Sequence, residues 1–138
     1  MKFFQAFFVA VVACFSLSSV AEVSSSPEGA KLYIVSPENG AVVESPVVVR
    51  FGLTGMGVAP AGVDKANTGH HHLLINKDEL PEMGKPMGSD VKHFGGGQTE
   101  TTVELAPGEH TLQLILGNHL HIPHDPVVIS DKIAITVK

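Results

Sequence analysis

Eight histidines, six of them in two short clusters, are the residues of this sequence best suited to chemistry. The first cluster is the uninterrupted run 70–72, and the second places three histidines between residues 119 and 124. His93 and His110 stand apart from both. A neutral imidazole is a Lewis base near pH 7, so several imidazoles that converge predict a metal site.

The spacing within the first cluster limits which rings can act together. Neighbouring residues of a strand point to opposite faces, so three consecutive histidines cannot all bind one ion. His70 and His72 share a face, whereas His71 points the other way. For each ring the alternative is a buried hydrogen-bonded histidine or a surface one.

We take His72, His93 and His124 as the core of the predicted site. The candidates for the remaining position are His70, His71, His119 and His121. His110 leads the apolar face of a strand, where its ring could donate to a backbone carbonyl, so we expect it to be structural.

The expected ion is copper or zinc, with copper favoured. Met83 and Met87 lie in a Pro/Gly-rich segment close to His93, and a thioether combined with imidazole selects copper, especially Cu(I). The alternative is that these methionines pack against other apolar residues. The expected role is to buffer, carry or deliver the ion.

The N-terminus predicts export. A lysine is followed by an apolar run over residues 3–15 and a small-residue stretch ending at Ala21, which is typical of a secretory signal peptide cleaved after Ala21 and of a periplasmic protein. A second interpretation is a lipoprotein box that ends at Cys14, whose lipid would tether the protein to a membrane. Cys14 is the only cysteine, so cleavage after Ala21 excludes disulfides and thiolate-based metal sites.

Charge and motifs narrow the function further. The net charge of −5 argues against a nucleic-acid partner. The sequence has no Gly-x-Ser-x-Gly and no His-Glu-x-x-His motif, and Glu100 is the one acid or base that we would name. Whether the protein is an enzyme is therefore undecided, and a non-catalytic role is favoured.

The elements that must position these histidines are strands. The sequence predicts a signal peptide over residues 1–21, a flexible lead-in over 22–29 and a single immunoglobulin-like antiparallel β-sandwich of about seven strands over 30–138. Long loops are expected over residues 55–69 and 76–97, and the latter is long enough to be functional. We expect strands near 31–35, 42–43, 46–53, 70–75, 99–105, 110–116 and 133–137. The predicted core is Leu32, Ile34, Val47, Val49, Phe51, Leu73, Ile75, Leu112, Leu114, Leu116, Ile133, Ile135 and Val137.

Several motifs also resemble those of a family of exported bacterial proteins that is classed as a domain of unknown function. The matching stretches are Ser36–Gly40, Gly55–Gly62, Asn67–Ile75 (NTGHHHLLI), His93–Glu100 (HFGGGQTE), Pro107–Leu116 (PGEHTLQLIL) and Pro123–Pro126 (PHDP). The resemblance implies a periplasmic, all-β, immunoglobulin-like domain and no known activity. His119 and His121 lie outside these motifs.

A different function class remains open at this point. Sandwich domains commonly bind partners through loops or edges, so the chain could be a metal-free interaction module of the cell envelope that contacts another periplasmic protein. In that case the histidines would support the long loops by hydrogen bonding.

Overall fold

The computed structural model describes residues 22–138, and this part of the chain forms nine strands and no helix. The predicted signal peptide and Cys14 lie outside the described residues. The strands are β1 (Lys31–Ser36), β2 (Val42–Val43), β3 (Val47–Thr54), β4 (Gly57–Val58), β5 (Thr68–Ile75), β6 (Lys92–His93), β7 (Glu100–Val103), β8 (Gly108–Gly117) and β9 (Ile133–Val137).

The strands form two sheets, which confirms the predicted β-sandwich. One sheet has the order β1-β3-β7, and the other has the order β2-β9-β8-β5-β4, with β6 also paired to β5. Most pairs are antiparallel, while β2 with β9 and β4 with β5 are parallel. All seven predicted strands form. The two-residue strands β4 and β6 fall in segments that the sequence predicts as loops, because so short a pairing carries no pattern of its own.

The main core lies between the two sheets. Alternation along β3 and β8 turns every second apolar side chain inward, and the inward residues of both sheets form one buried cluster. Every predicted core residue belongs to this cluster or packs against it; Ile34, Ile75 and Ile133 are the partly buried members. The predicted core is therefore confirmed.

Strand β5 is buried on both of its faces. Leu73 faces the main core, while Leu74 packs with Ile115, Met87 and Val91 in a second, smaller cluster. The long segment between β5 and β6 supplies two of these residues and so covers the outer face of the sheet. The histidines on β5 are consequently buried on either face of the strand.

Candidate metal centre

Two of the histidines on β5 share the face that the long segment covers. His70 and His72 are both fully buried, with relative exposures of 0%, and their ring centroids lie 4.5 Å apart. Strand alternation places them side by side, as expected from their spacing. This pair forms the inner half of a histidine cluster.

Strand β6 brings a third ring to the same place. His93 pairs with His72 in the register of β5 and β6, and the two ring centroids lie 4.6 Å apart. His93 Nε2 donates to the carbonyl oxygen of Gly88 at 2.9 Å. Since a carbonyl only accepts, Nε2 carries the proton, and Nδ1 of the neutral ring presents a lone pair.

The fourth ring, His121, comes from the turn that follows β8. The backbone of His121 has φ = +64°, in the left-handed region that non-glycine residues rarely adopt. The backbone is held there by His121 N–H donating to Asn118 O, and by Met87 N–H donating to His121 O, each at 2.9 Å. His121 Nδ1 lies 2.9 Å from His70 Nε2 and 3.2 Å from His93 Nδ1.

The four rings form a compact set of nitrogen donors. One nitrogen from each of His70, His72, His93 and His121 lies within 4.8 Å of the other three. A tetrahedral ion with metal–nitrogen bonds of 2.0–2.1 Å needs its ligands about 3.3 Å apart. The separations of 2.9 Å and 3.2 Å from His121 Nδ1 are already close to that value. A separation at the 4.8 Å limit would have to shorten by about 1.5 Å.

Three rings of this four-histidine centre have a lowered pKa because of their surroundings. Burial, reinforced by the neighbouring rings, lowers the pKa of His70 to about 4 and that of His72 to about 2. Burial and the nearby His93 also lower the pKa of His121. Neutral imidazole is the form that binds a metal ion, so the centre is ready to act as a ligand at neutral pH.

The hydrogen-bonding capacity of the centre is not satisfied by the protein. Three ring nitrogens converge: His70 Nε2, His93 Nδ1 and His121 Nδ1. Two N–H groups cannot face each other at 2.9 Å, so neutral rings can place only one proton among these three atoms. The other two atoms direct their lone pairs into the same space. Among the described residues, His70 Nδ1 and both nitrogens of His72 are also buried without a hydrogen-bond partner. A cation would meet the converging lone pairs.

Three histidines of the sequence-predicted set lie elsewhere. His71 faces the main core, with its ring centroid 5.0 Å from that of Phe51. His119 Nδ1 lies 3.6 Å from Asp64 Oδ1. His124, which we placed in the core of the site, is buried and directs Nε2 to Thr68 O at 3.1 Å. The structure thus groups His72 and His93 with His70 and His121, and leaves these three rings outside.

The expectation for His110 is confirmed. His110 Nε2 donates to Ala106 O at 2.7 Å, and Nδ1 accepts from Asn76 Nδ2 at 2.9 Å. Both ring nitrogens are used in holding the start of β8. The Gly95–Gly97 run forms a tight bend, in which Gly97 N–H donates to Phe94 O at 3.2 Å.

Two residues that directly follow the predicted strand 110–116, Gly117 and Asn118, shape the centre. A Cβ on Gly117 would lie 2.5 Å from His72 Cε1 and 2.8 Å from Met87 Cε, so both side chains occupy the space that glycine leaves open. Met87 is therefore the methionine that borders the cluster, while Met83 is 46% exposed. The adjacent Asn118 is buried and bonds the backbone of the His121 turn. Gly-Asn after a strand is too common a turn signal to have identified either role.

The fold and the cluster together define an all-β sandwich domain with a four-histidine centre on the outer face of one sheet. Residues 49–138 match the family described as Domain of unknown function (DUF4399), and the chain belongs to that family. No curated protein and no solved structure matches the chain.

Among residues 22–138, the structure has no helix of the length and apolarity needed to cross a lipid bilayer.

Proposed function

We propose that this protein binds a copper ion at the four-histidine centre in the periplasm, and buffers or delivers it. The observation that supports this proposal most strongly is that ring nitrogens from β5, β6 and the turn after β8 meet in one space, where one shared proton leaves lone pairs unused. His70 Nδ1 and both nitrogens of His72 are also buried without a hydrogen-bond partner within residues 22–138. A buried polar group without a partner costs about 1–3 kcal/mol. An ion bound by these lone pairs would offset part of that penalty.

Copper is favoured over zinc by the kinds of donor present. The cluster consists of imidazoles alone, a donor that both ions accept, and divalent copper binds nitrogen sites more tightly than zinc does. The side chains of Met87 and His72 both lie beside Gly117, and a thioether near imidazoles favours copper further. The signal-like N-terminus supports the periplasmic location.

Exchange of the ion is supported by the asymmetry of the centre. His70 and His72 are fully buried, whereas His93 and His121 retain exposed surface. An ion could therefore enter or leave past the two outer rings while the inner pair keeps its position. That arrangement suits a protein that holds and releases an ion.

The test is a calorimetric titration of the protein beginning at Glu22 with Cu(II) and with Zn(II), together with metal analysis of untagged protein from its native compartment. We expect one equivalent of Cu(II) to bind more tightly than micromolar, and more tightly than Zn(II). His121→Ala should weaken Cu(II) binding by at least about 10-fold, because it removes a ligand.

His119→Ala provides the matched control, since His119 belongs to the same sequence cluster but lies outside the centre. Cu(II) binding that is micromolar or weaker, or equal in His121→Ala and His119→Ala, would remove the proposal. A metal-free interaction module would then be the better description.

A further inference from the structure

We infer that the N-terminal strap, residues 22–26, belongs to the scaffold of the four-histidine centre, and that Asn118 is the positioning residue that couples them. This inference rests on the metal binding proposed above. It assigns a role to a segment that the sequence predicts only as a lead-in, and to a residue that contacts no ion.

Both polar atoms of the Asn118 side chain are hydrogen-bonded, and they bond different segments of the chain. It is 1% exposed, and its Oδ1 accepts from Leu120 N at 2.9 Å and from Ile122 N at 3.0 Å. Its Nδ2 donates to Glu22 O at 2.8 Å and to Ser24 Oγ at 3.0 Å. One amide group thus binds both the turn that carries His121 and the strap.

The strap is also attached beyond Asn118. Ser24 O accepts from Asp125 N at 3.0 Å, and Ser26 N donates to Asp125 O at 3.3 Å. Ser26 Oγ donates to Pro126 O at 2.6 Å. The strap therefore contacts both ends of the segment 118–126, within which His121 lies.

The position of His121 depends on this segment. Its left-handed backbone conformation is unfavourable for a residue with a side chain, and it persists only where the surroundings enforce it. The hydrogen bonds of Asn118 to the residues on both sides of His121 provide that constraint. Loosening the strap should let Asn118 and then His121 move, which would separate His121 Nδ1 from His70 Nε2.

Coupling of this kind is reciprocal. If the docked strap strengthens metal binding by some factor, the bound metal must strengthen docking of the strap by the same factor. The affinity for the metal and the docking of the strap are two independent measurements of this one factor. A residue with only a general effect on folding would not make the two factors equal.

Two variants of the protein beginning at Glu22 test the coupling. Asn118→Asp keeps the oxygen that Leu120 and Ile122 require and replaces the donor that binds the strap. Its added negative charge would by itself strengthen cation binding, so a weaker site is attributable to the strap. Ser26→Pro leaves Asn118 unchanged and removes the N–H and hydroxyl that hold the strap to residues 125–126.

Each variant should weaken Cu(II) binding, measured by competition with a chelator, by about 10-fold to 100-fold, as is usual when the support of a ligand is lost. The electron paramagnetic resonance spectrum of bound Cu(II) should change as His121 leaves its position. In the unchanged protein, Cu(II) should slow hydrogen exchange in residues 22–26 by a matching factor. The control is Asn76→Asp, which disturbs an asparagine–histidine bond outside the centre and should alter neither quantity.

The inference fails if a folded Asn118→Asp or Ser26→Pro variant keeps the Cu(II) affinity and the spectrum of the unchanged protein. It fails equally if Cu(II) leaves exchange in the strap unaffected. If the unchanged protein itself does not bind Cu(II), the proposed function is overturned, so the two failures are distinguishable.

Discussion

The histidines of this protein differ in what their ring nitrogens contact. In the four-histidine centre, nitrogens of His70, His93 and His121 meet one another. In His110 and His124, Nε2 meets a backbone oxygen, and the ring nitrogens of His71 have no partner in the part of the chain that the structure describes. Burial is common to most of these rings and does not separate the groups. The partner of each nitrogen is what distinguishes a candidate ligand from a structural histidine.

Removing a structural histidine should therefore lower the free energy of unfolding and leave metal binding unchanged. We expect His124→Ala to lower the free energy of unfolding by about 1–3 kcal/mol, because a buried ring is lost and the part-buried carbonyl of Thr68 loses its partner. His93→Ala, at an outer position, should leave stability nearly unchanged and weaken Cu(II) binding. Urea unfolding and calorimetry on both variants check this, and the reverse pattern would exchange the roles assigned to the two residues.

His71 makes the stability of the metal-free protein depend on pH. Burial lowers its pKa from 6.5 to about 4, so between these values the unfolded chain holds a proton that the folded chain lacks. The free energy of unfolding is therefore highest above pH 6.5. As the pH drops from 6.5 toward 4, this residue alone lowers it by about 3 kcal/mol.

The substitution His71→Leu isolates that contribution. The variant should lose less stability than the unchanged protein between pH 7 and pH 4, because His70 and His72 are present in both. Urea unfolding after treatment with a chelator measures the difference. Parallel pH profiles for the two proteins would show that His71 is not the source.

At the level of the strands, the centre depends on the pairing of β5 with β8. His70 lies opposite Gly117 in this register, and the missing side chain of Gly117 provides room for the ring of His72. If β5 slipped by one residue, His71 would face the centre, and His70 and His72 would face the main core. The main core, which requires Leu73 to face inward, therefore also determines which histidines can form the centre.

Gly117→Ala tests this dependence. The added methyl would lie too close to His72 Cε1 and Met87 Cε, so we expect a loss of about 1–3 kcal/mol in stability and a Cu(II) affinity reduced by about 10-fold as the ring turns away. Gly57→Ala is the control, because its Cβ would meet Thr68 Cγ2 at an ordinary 3.5 Å. Equal behaviour of the two variants in thermal unfolding and calorimetry would contradict the role given to Gly117.

Over the whole domain, the centre and the main core are on opposite faces of the larger sheet. The core between the sheets is built from apolar side chains on the face of the sheet away from the centre. Folding should therefore not require metal, in contrast to small zinc domains that unfold without it.

We expect protein treated with a chelator to keep its β-sheet circular dichroism spectrum. Free Cu(II) at 100 times its dissociation constant should then stabilise the fold by about 3 kcal/mol and raise the melting temperature. Calorimetric scans with and without Cu(II) measure both effects. Loss of the spectrum on chelation would mean that the centre, and not the core, holds the domain together.

The sequence by itself determined the fold class and the core. Alternating apolar residues specify which face of a strand is buried, and all seven predicted strands follow from such local patterns and turn signals. The two-residue strand β6 does not, because its pairing with β5 depends on how the long preceding segment is folded. The sequence likewise favoured His124 as a ligand and made His121 only a candidate, because their distance from the other rings depends on the fold.

Which histidines meet was decided only in the tertiary structure. His70 and His121 are 51 residues apart in the chain and 2.9 Å apart between ring nitrogens, while His71, next to His70, lies on the opposite face. Alternation is a local property that can be read from the sequence. Convergence depends on the register of β5 with β8 and β6, on the left-handed backbone of His121 and on the space beside Gly117, all of which are set by residues distant in the chain.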